Sequence, residues 1–304
     1  MRAAAHPPRS RMPDGEVSVI VVTFNALPWL ERCLESVAGL ETIVVDHGST
    51  DGSLELVRTR FPRVRVFAQE NRGMGAGNNL GMRIADNRYF FLLNSDAWVL
   101  GDAVAALVGF ADAHPEVAVI GPRLLNPDGT LQRSVRGFPT VWRLATEYLF
   151  LRKLAPRSRL LNPLYAAGFP HDEPREVEWL SGAALLVRRE ATDAVGLFDE
   201  SFFMFSEEAD WMYRFHEAGW RVWFTPAAEV VHVGGASHGG RLYRENLRGH
   251  LRFLAKHRGP REAERARRLL LFALRLRTLL FRGERRETYR EGARYLASAD
   301  VRAL

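Results

Sequence analysis

From residue 17 to residue 122 the chain alternates short, continuous apolar runs with longer stretches of helical spacing. The runs VSVIVVTF (17–24), ETIVVD (41–46), VRVFAQ (64–69), RYFFLLN (88–94) and VAVIGP (117–122) are rich in β-branched and aromatic residues. Apolar side chains at nearly every position, rather than every second one, mark strands covered on both faces, the habit of parallel sheets. Between them, helices are predicted from Pro28 to about Leu40, over 54–61, from Gly77 to Asp86 and over 102–114. Proline is pre-organised for a first helical position, and Pro62 stops the second helix. Strands alternating with helices predict an α/β fold with a mostly parallel, doubly wound sheet.

A polar cluster follows each of the first four runs: TFN (23–25), the end of VVDHGSTDGS (44–53), ENRGMGAGNNLG (70–81) and the end of FLLNSD (91–96). In an open α/β sheet the carboxyl ends of the strands line one crevice, where ligands bind. Four segments therefore converge on one site, which must hold something large and polar.

After residue 122 the rhythm changes. NPDGTLQ (126–132) reads as a hairpin turn. Residues 138–176 are irregular and Pro-rich, with a short helix around 141–154. EWLSGAALLVRR (178–189) reads as loop and strand. EEADWMYRFHEAG (207–219) is a helix with Ser206 as N-cap and Gly219 past its end, and 220–233 resembles two strand pieces. The expected organisation is a disordered Arg/Pro-rich start over 1–15 and a catalytic domain over 16–240. That domain has a nucleotide-binding half (16–122) and an acceptor and catalytic half (123–240). A basic amphipathic helical tail follows over 241–304.

Charge sharpens that last boundary. The net charge is +6, but residues 241–304 hold 18 Lys/Arg against seven Asp/Glu. A basic tail on a mildly acidic body suggests an anionic surface as partner. Nucleic acid is not expected, because no reading motif accompanies the charge. Cys33, the single cysteine, excludes an internal disulfide and falls with Leu30, Leu34 and Val37 on a buried helix face. No signal-peptide core and no run of about 18 apolar residues is present. A cytoplasmic protein, soluble or peripheral on the inner face of the cell membrane, is expected.

The glycines at 73, 75, 77 and 81 invite a dinucleotide reading, with Asp96 downstream. Their spacing is not G-x-G-x-x-G, and they follow the third strand, whereas that fingerprint belongs to the first strand–helix turn. The first turn here, FNALP, has no glycine.

Seven segments in order do resemble glycosyltransferase family 2, the inverting enzymes of GT-A fold, and most of all its bacterial rhamnosyltransferase-type members. They are TFN, VVDHGSTDGS, ENRGMGAGNNLG, LLNSD, EWLSGAALLVRR, GLFDESFFMFSEEADWMYR and AEVVHVGGAS, spread over 16–240. The resemblance implies a nucleotide-sugar donor, dTDP-rhamnose or a UDP-sugar, and a cell-surface glycan or lipid-linked acceptor. It places Thr23, Phe24 and Asn25 around the nucleoside and Asp46 at the base. Physically this suits uracil or thymine, whose N3–H a carboxylate accepts well. Asn71 and Arg72 fall near base and pyrophosphate. Gly48, Ser49, Gly77, Asn78, Asn94, Ser95 and Asp96 complete the donor set. The bland reading is turn chemistry, because Gly, Asn, Asp and Ser are common at turns anyway. His47 stands where the family commonly has asparagine.

NSD (94–96) stands where the family has D-x-D. A Mg2+ or Mn2+ ion clamping the diphosphate is implied there, with Asp96 as direct ligand and His232 completing the coordination. Asn94 replaces the first acid. An inverting transfer needs one base for the acceptor hydroxyl, and the resemblance gives that role to Glu208; Glu207 and Asp210, i,i+3 neighbours on one helix face, would orient the site or pair with Arg214. Trp179, in the W-L-S-G segment with Gly182, is placed at the acceptor, where it would stack on a sugar, or else simply packs. A non-catalytic sugar-nucleotide-binding or membrane scaffold protein of the same fold is the competing class. Retention of Asp96, His232 and the 207–210 acids argues against it.

On a helix over 261–282, Leu269, Leu270, Ala273, Leu274, Leu276, Leu280 and Phe281 share one face, while Arg261, Arg265, Arg268, Arg275 and Arg282 share the other. Arg277 falls inside the apolar face and would have to snorkel. Such a helix lies on an anionic membrane or docks its apolar face on the catalytic domain, and the two can coexist.

Overall fold

The structure is a computed structural model that describes residues 15–166, 168–234 and 240–304. Nearly all of the expected 1–15 tail lies outside the described residues. The order of elements is β1 (Val17–Thr23), α1 (Leu27–Ser36), β2 (Glu41–Asp46), α2 (Ser53–Arg60), β3 (Arg65–Ala68), α3 (Met74–Ile84), β4 (Tyr89–Leu93), β5 (Ala97–Leu100), α4 (Ala103–Ala113) and β6 (Val117–Leu125). Short pieces follow: β7 (Leu131–Gln132), β8 (Val135–Arg136), α5 (Val141–Tyr148), α6 (Leu151–Leu154), β9 (Arg175–Glu176) and β10 (Trp179–Leu180). The chain continues through β11 (Ala184–Arg188), α7 (Arg189–Val195), α8 (Glu207–Glu217) and β12 (Arg221–His232), then α9 (Gly240–Arg258), α10 (Pro260–Leu280) and α11 (Gly283–Ser298).

The main sheet runs β3-β2-β1-β4-β11-β6-β12-β5. β11 and β5 are antiparallel to their neighbours, and the other six strands point one way. Side-chain alternation explains the continuous apolar runs. Val19, Val21, Val44 and Phe91 face a core shared with α1, α2 and α4. Ile20, Val22, Ile43, Val45 and Phe90 face the opposite core with Met82 of α3 and Trp211, Met212 and Phe215 of α8. α3 lies directly on β1 because two of its residues lack a Cβ: one added at Gly81 would sit 2.4 Å from Ile20 Cγ2, and one at Gly77 2.8 Å from Val22 Cγ1.

Within the sheet, two details differ from the sequence reading. β5 follows the NSD turn at once and was not foreseen, since four residues after a turn carry too little periodicity to read. The stretch 220–233, read as two pieces, is one strand with an irregularity between Thr225 and Glu229. Pro226, with no N–H to give the ladder, lies inside it.

The C-terminal helices build a third core with α5, α8 and Phe202. The face of α10 that docks there carries Ala263, Ala266, Leu270, Ala273 and Leu274. Leu276 and Leu280, expected on that face, are exposed beside Phe272 and Leu279. Arg277 does not snorkel. It is buried and donates to the carbonyls of Glu147 and Tyr148 (both 2.9 Å), two terminal acceptors of α5, with the Phe150 ring 4.1 Å away.

Candidate active site

β1, β2, β4 and β12 point the same way, so Thr23, Asp46, Asn94 and His232 reach the same rim of the sheet. Thr23 and Asp46 are register partners. The N–H groups of Gly48 and Ser49 donate to Asp46 Oδ2 at 3.0 and 3.1 Å, while Asp46 Oδ1 and the Thr23 hydroxyl are buried with no partner among the described residues. Two adjacent orphan polar atoms at the ends of neighbouring strands call for a ligand that hydrogen-bonds both, because buried polar groups are otherwise paired. Phe24, half exposed, stands beside them.

The neighbouring candidates divide. Asn25, at φ +52°, accepts from Thr50 N–H (2.8 Å) and gives its own N–H to the Ser49 hydroxyl (2.9 Å), which ties the first two strand-end loops together. Asn71 accepts from Gly73 N–H (3.1 Å), and Arg72 is paired with Glu200 at 2.9 Å. Gly77 is pressed against His47, whose Nε2 lies 2.7 Å from where a Cβ would be. His47 is buried against Gln69 (2.9 Å); burial lowers its pKa, opposed by the charge of Asp46 and by Asn71, so the ring serves as neutral packing. Asn78 and Ser95 are half-buried. Asn79, which the sequence reading passed over, clamps the loop before α8: its amide donates to Phe198 O and Glu200 Oε1 (both 3.0 Å) and accepts from Phe198 N–H (2.9 Å).

Asp96 and His232 meet across this rim. Asp96 Oδ2 accepts from Gly234 N–H (3.1 Å), and Oδ1 lies 3.3 Å from His232 Nε2. Asn94 Nδ2 is 3.3 Å from the same nitrogen. On the far side of the ring, His232 Nδ1 is 2.7 Å from Gln132 Oε1. The Gln132 amide nitrogen already donates to Asn126 Oδ1 and His232 O (both 3.0 Å), so its oxygen must accept and Nδ1 must carry the proton. In the neutral ring Nε2 then turns a lone pair toward a carboxylate oxygen. Two electron-rich atoms 3.3 Å apart suit a cation between them, and oxygen with imidazole nitrogen is a donor set that Mg2+ or Mn2+ accepts. Among the described residues no third His, Cys, Asp or Glu joins them. Burial raises the Asp96 pKa, and backbone N–H groups including that of Gly234 oppose it. Gln132 is the residue that sequence reading missed here, hidden in what looked like a plain hairpin turn.

The acids of α8 separate by environment. Glu208 Oε1 accepts from Gly182 N–H at 3.1 Å, and a Cβ on Gly182 would stand 2.5 Å from that oxygen. Glu207 is buried behind it with Oε2 unpartnered. Burial, then the charge of Glu208, pushes the Glu207 pKa well up. Burial also raises Glu208, offset by backbone N–H groups including that of Gly182, by Glu207 and by the charge of Arg136. Burial thus works against ionising both, and the Gly182 N–H favours the charged form at Glu208. Asp210 is fully enclosed by Arg214 (3.0 Å), His257 (2.8 Å) and Lys256 (2.7 Å). Burial raises its pKa, but those partners together lower it. Sequence reading offered Arg214 as a partner for Glu207 or Asp210, and it is Asp210, four residues earlier, that it meets. Lys256 and His257, on α9, gave no such signal, because only packing brings that helix against α8. Ser206 stands at the N-cap position but at φ +70° without a side-chain cap bond, and its side chain would meet a Cβ on Gly249 of α9 at 2.9 Å.

Polar strand ends gathered on one rim of a mostly parallel sheet, with acids opening a helix of the same domain, are compatible with a GT-A fold, and solved structures show that fold. A mannosyltransferase from Pyrobaculum calidifontis in complex with GDP-Man and Mn2+ superposes with a TM-score of 0.55 at 17% identity, over 96% of this chain and 91% of that one. GalNAc-T7 with UDP, GalNAc and Mn2+ gives 0.58 at 15% identity, over 92% and 55%. In sequence, the glycosyl transferase family 2 profile matches residues 18–171. The chain is 32% identical over 245 residues to an N-acetylglucosaminyl-diphospho-decaprenol L-rhamnosyltransferase of Mycobacterium tuberculosis (strain ATCC 25618 / H37Rv), covering 73% of this chain and 77% of that protein. A pre-mycofactocin glycosyltransferase of the same organism is 29% identical over 232 residues, 75% of this chain and 45% of the relative. The chain belongs to glycosyl transferase family 2, among its rhamnosyltransferase-like members, and is a glycosyltransferase.

Proposed function

We propose that the protein is a metal-dependent inverting glycosyltransferase that moves a sugar from a pyrimidine nucleotide donor to a glycan or lipid-linked acceptor. The donor is dTDP-rhamnose or a UDP-sugar. The observation that carries this reading is Glu208, a carboxylate held by Gly182 N–H at the start of α8 with Glu207 buried behind it. Asp46 and Thr23 offer their orphan oxygens to the pyrimidine edge and its sugar. Asp96 and His232 would hold Mg2+ or Mn2+, which supplies positive charge to the leaving diphosphate. Glu208 takes the proton from the acceptor hydroxyl as its oxygen bonds to the anomeric carbon. The bond from that carbon to the nucleoside diphosphate breaks on the opposite face, so the configuration inverts.

The test is transfer and donor hydrolysis measured with dTDP-rhamnose and UDP-sugars, with and without chelator. Turnover that stops in EDTA and returns with Mg2+ or Mn2+ is expected, as is loss of dTDP binding in Asp46→Ala by on the order of 1–3 kcal/mol, the cost of a lost charge-assisted bond. Full turnover in chelator, or equal binding of GDP and dTDP, refutes it.

The outward face of α10 supports a peripheral location. Arg261, Arg265, Arg268 and Arg275 are exposed there with Phe272, Leu276, Leu279 and Leu280, a pairing of cations and apolar side chains that fits an anionic lipid surface. No helix among the described residues is long and apolar enough to cross a membrane. Co-sedimentation with phosphatidylglycerol vesicles, lost in a Phe272→Ser/Leu279→Ser variant, is the expected result; equal sedimentation of both proteins overturns it.

A further inference from the structure

A cavity of about 510 Å³ opens where the C-terminal turns of α9, the start of α10 and residues 301–304 meet the loop before α8. None of the strand-end residues of the candidate active site lines it. The volume is that of a small-molecule site. Asp199, Ser201, Arg252, Lys256 and Arg302 give it a polar side, and Ala255 and Val301 belong to an apolar one.

The charges of this cavity do not balance. Three cations, Arg252, Lys256 and Arg302, face one carboxylate, Asp199, which leaves an excess of two positive charges. Burial raises the Asp199 pKa, but the contacts of Lys256 and Ser201 outweigh it and hold the carboxyl below its usual range. Along the same helices Arg248, Arg267 and Arg290 each meet a glutamate three residues away. The Arg252 guanidinium has no hydrogen-bonded or ion-paired partner among the described residues; the Phe202 ring supports it from 5.7 Å. Arg302 is exposed and bonds only through its backbone N–H, to Asp300 (2.9 Å). Burial lowers the Arg252 pKa, and the charge of Arg248 lowers it further against Asp199, Tyr295 and Glu245. Two forks with free donors beside an ammonium group match a phosphate. A phosphate monoester carries about −1.5 to −2 at pH 7, which matches the excess. Lys256 also reaches beyond the cavity: its Nζ lies 2.7 Å from Asp199 Oδ2 and 2.7 Å from Asp210 Oδ1. Asp210 stands in the first turn of α8, two residues after Glu208.

We propose that this cavity binds a phosphate monoester with an apolar body, and that the bound ester regulates transfer through Lys256. Arg252 and Arg302 grip the phosphate, and the apolar wall receives the rest of the molecule. The phosphate draws on the lysine that Asp210 shares, so occupancy changes the charge at the start of α8. The binding goes beyond the transferase reading; only its effect on rate rests on that reading.

The experiment titrates the full chain with phenyl phosphate and with phenol by calorimetry, and then measures kcat for transfer with and without phenyl phosphate. Phenyl phosphate should bind about tenfold tighter than phenol or better, the worth of a charge-assisted bond. Arg252→Met/Arg302→Met should erase that preference, while Asp46→Ala, at the donor rim, should keep it. Arg302 is exposed, so Arg302→Met alone, which should lose part of the preference, guards against a variant that fails to fold. Equal binding of the two probes to the wild type overturns the proposal, and so does a preference retained in the double variant. Phenyl phosphate should change the wild-type kcat about twofold or more and leave that of the double variant unchanged. A rise in donor KM alone would place the ester at the donor rim and overturn the regulatory role, as would binding with no change in rate. Displacement of phenyl phosphate by phosphatidic acid vesicles assigns the ester to a membrane lipid, and no displacement assigns it to a soluble metabolite; both results keep the site. Binding is read without turnover, so a failure of the transferase reading is scored separately.

Discussion

Gly182→Ala should disable the enzyme while leaving its fold intact. The added Cβ would stand 2.5 Å from Glu208 Oε1, and ordinary contact begins at 3.4 Å, so the carboxylate must retreat by about 0.9 Å. The obstacle is the far end of a flexible side chain, and the backbone N–H that holds it remains, so the melting temperature should change little. The chemistry is less forgiving, because a displacement of ~1 Å in a reacting group can cost ~10²-fold in rate, or about 2.7 kcal/mol of barrier. The assay is kcat for sugar transfer with donor affinity measured separately, since a base acts in the transition state and contributes little to donor binding. Glu208→Gln sets the upper limit, with general-base catalysis worth ~10²–10⁴-fold. In the double variant the glycine change should add almost nothing, because residues acting through one contact are not additive. A Gly182→Ala enzyme within threefold of wild-type kcat refutes the reasoning. So does an equal penalty in the presence and absence of the Glu208 carboxylate.

Gln132→Leu should weaken Mn2+ binding by about 10–100-fold, the usual cost of losing a partner that orients a metal-binding histidine. Electron paramagnetic resonance titration of Mn2+ with dTDP present reads this without reference to turnover, and an unchanged affinity would leave Gln132 as mere turn structure. His250 is buried with Nδ1 unpartnered, and burial lowers its pKa from 6.5 to about 4. The unfolded chain takes up a proton that the folded chain refuses, so this stability is present above pH 6.5 and is lost as pH falls toward 4. The loss amounts to about 3 kcal/mol. Urea midpoints of His250→Phe should therefore fall less than wild type between pH 7 and pH 4; parallel curves would show that the group does not titrate there.

The strands, their parallel habit and the rim they share were legible because a doubly covered strand must be apolar throughout, and a polar strand end must then have another reason to be there. Asp46, Asp96, His232 and Glu208 could be nominated on those grounds together with the order of the seven segments. Periodicity also marked α10 as amphipathic, but it could not choose between lipid and protein for the apolar side. Folding answered by burying Leu270, Ala273 and Leu274 and leaving Phe272, Leu276 and Leu279 outside. The partners of the site were beyond the sequence. Gln132 lies 100 residues from His232, Lys256 and His257 lie more than 45 from Asp210, and Asn79 lies 119 from Phe198. A sequence fixes which local conformations and which faces are favourable, because those depend on neighbours along the chain. Which distant donor meets which acceptor is decided only when packing excludes water and brings the charges together.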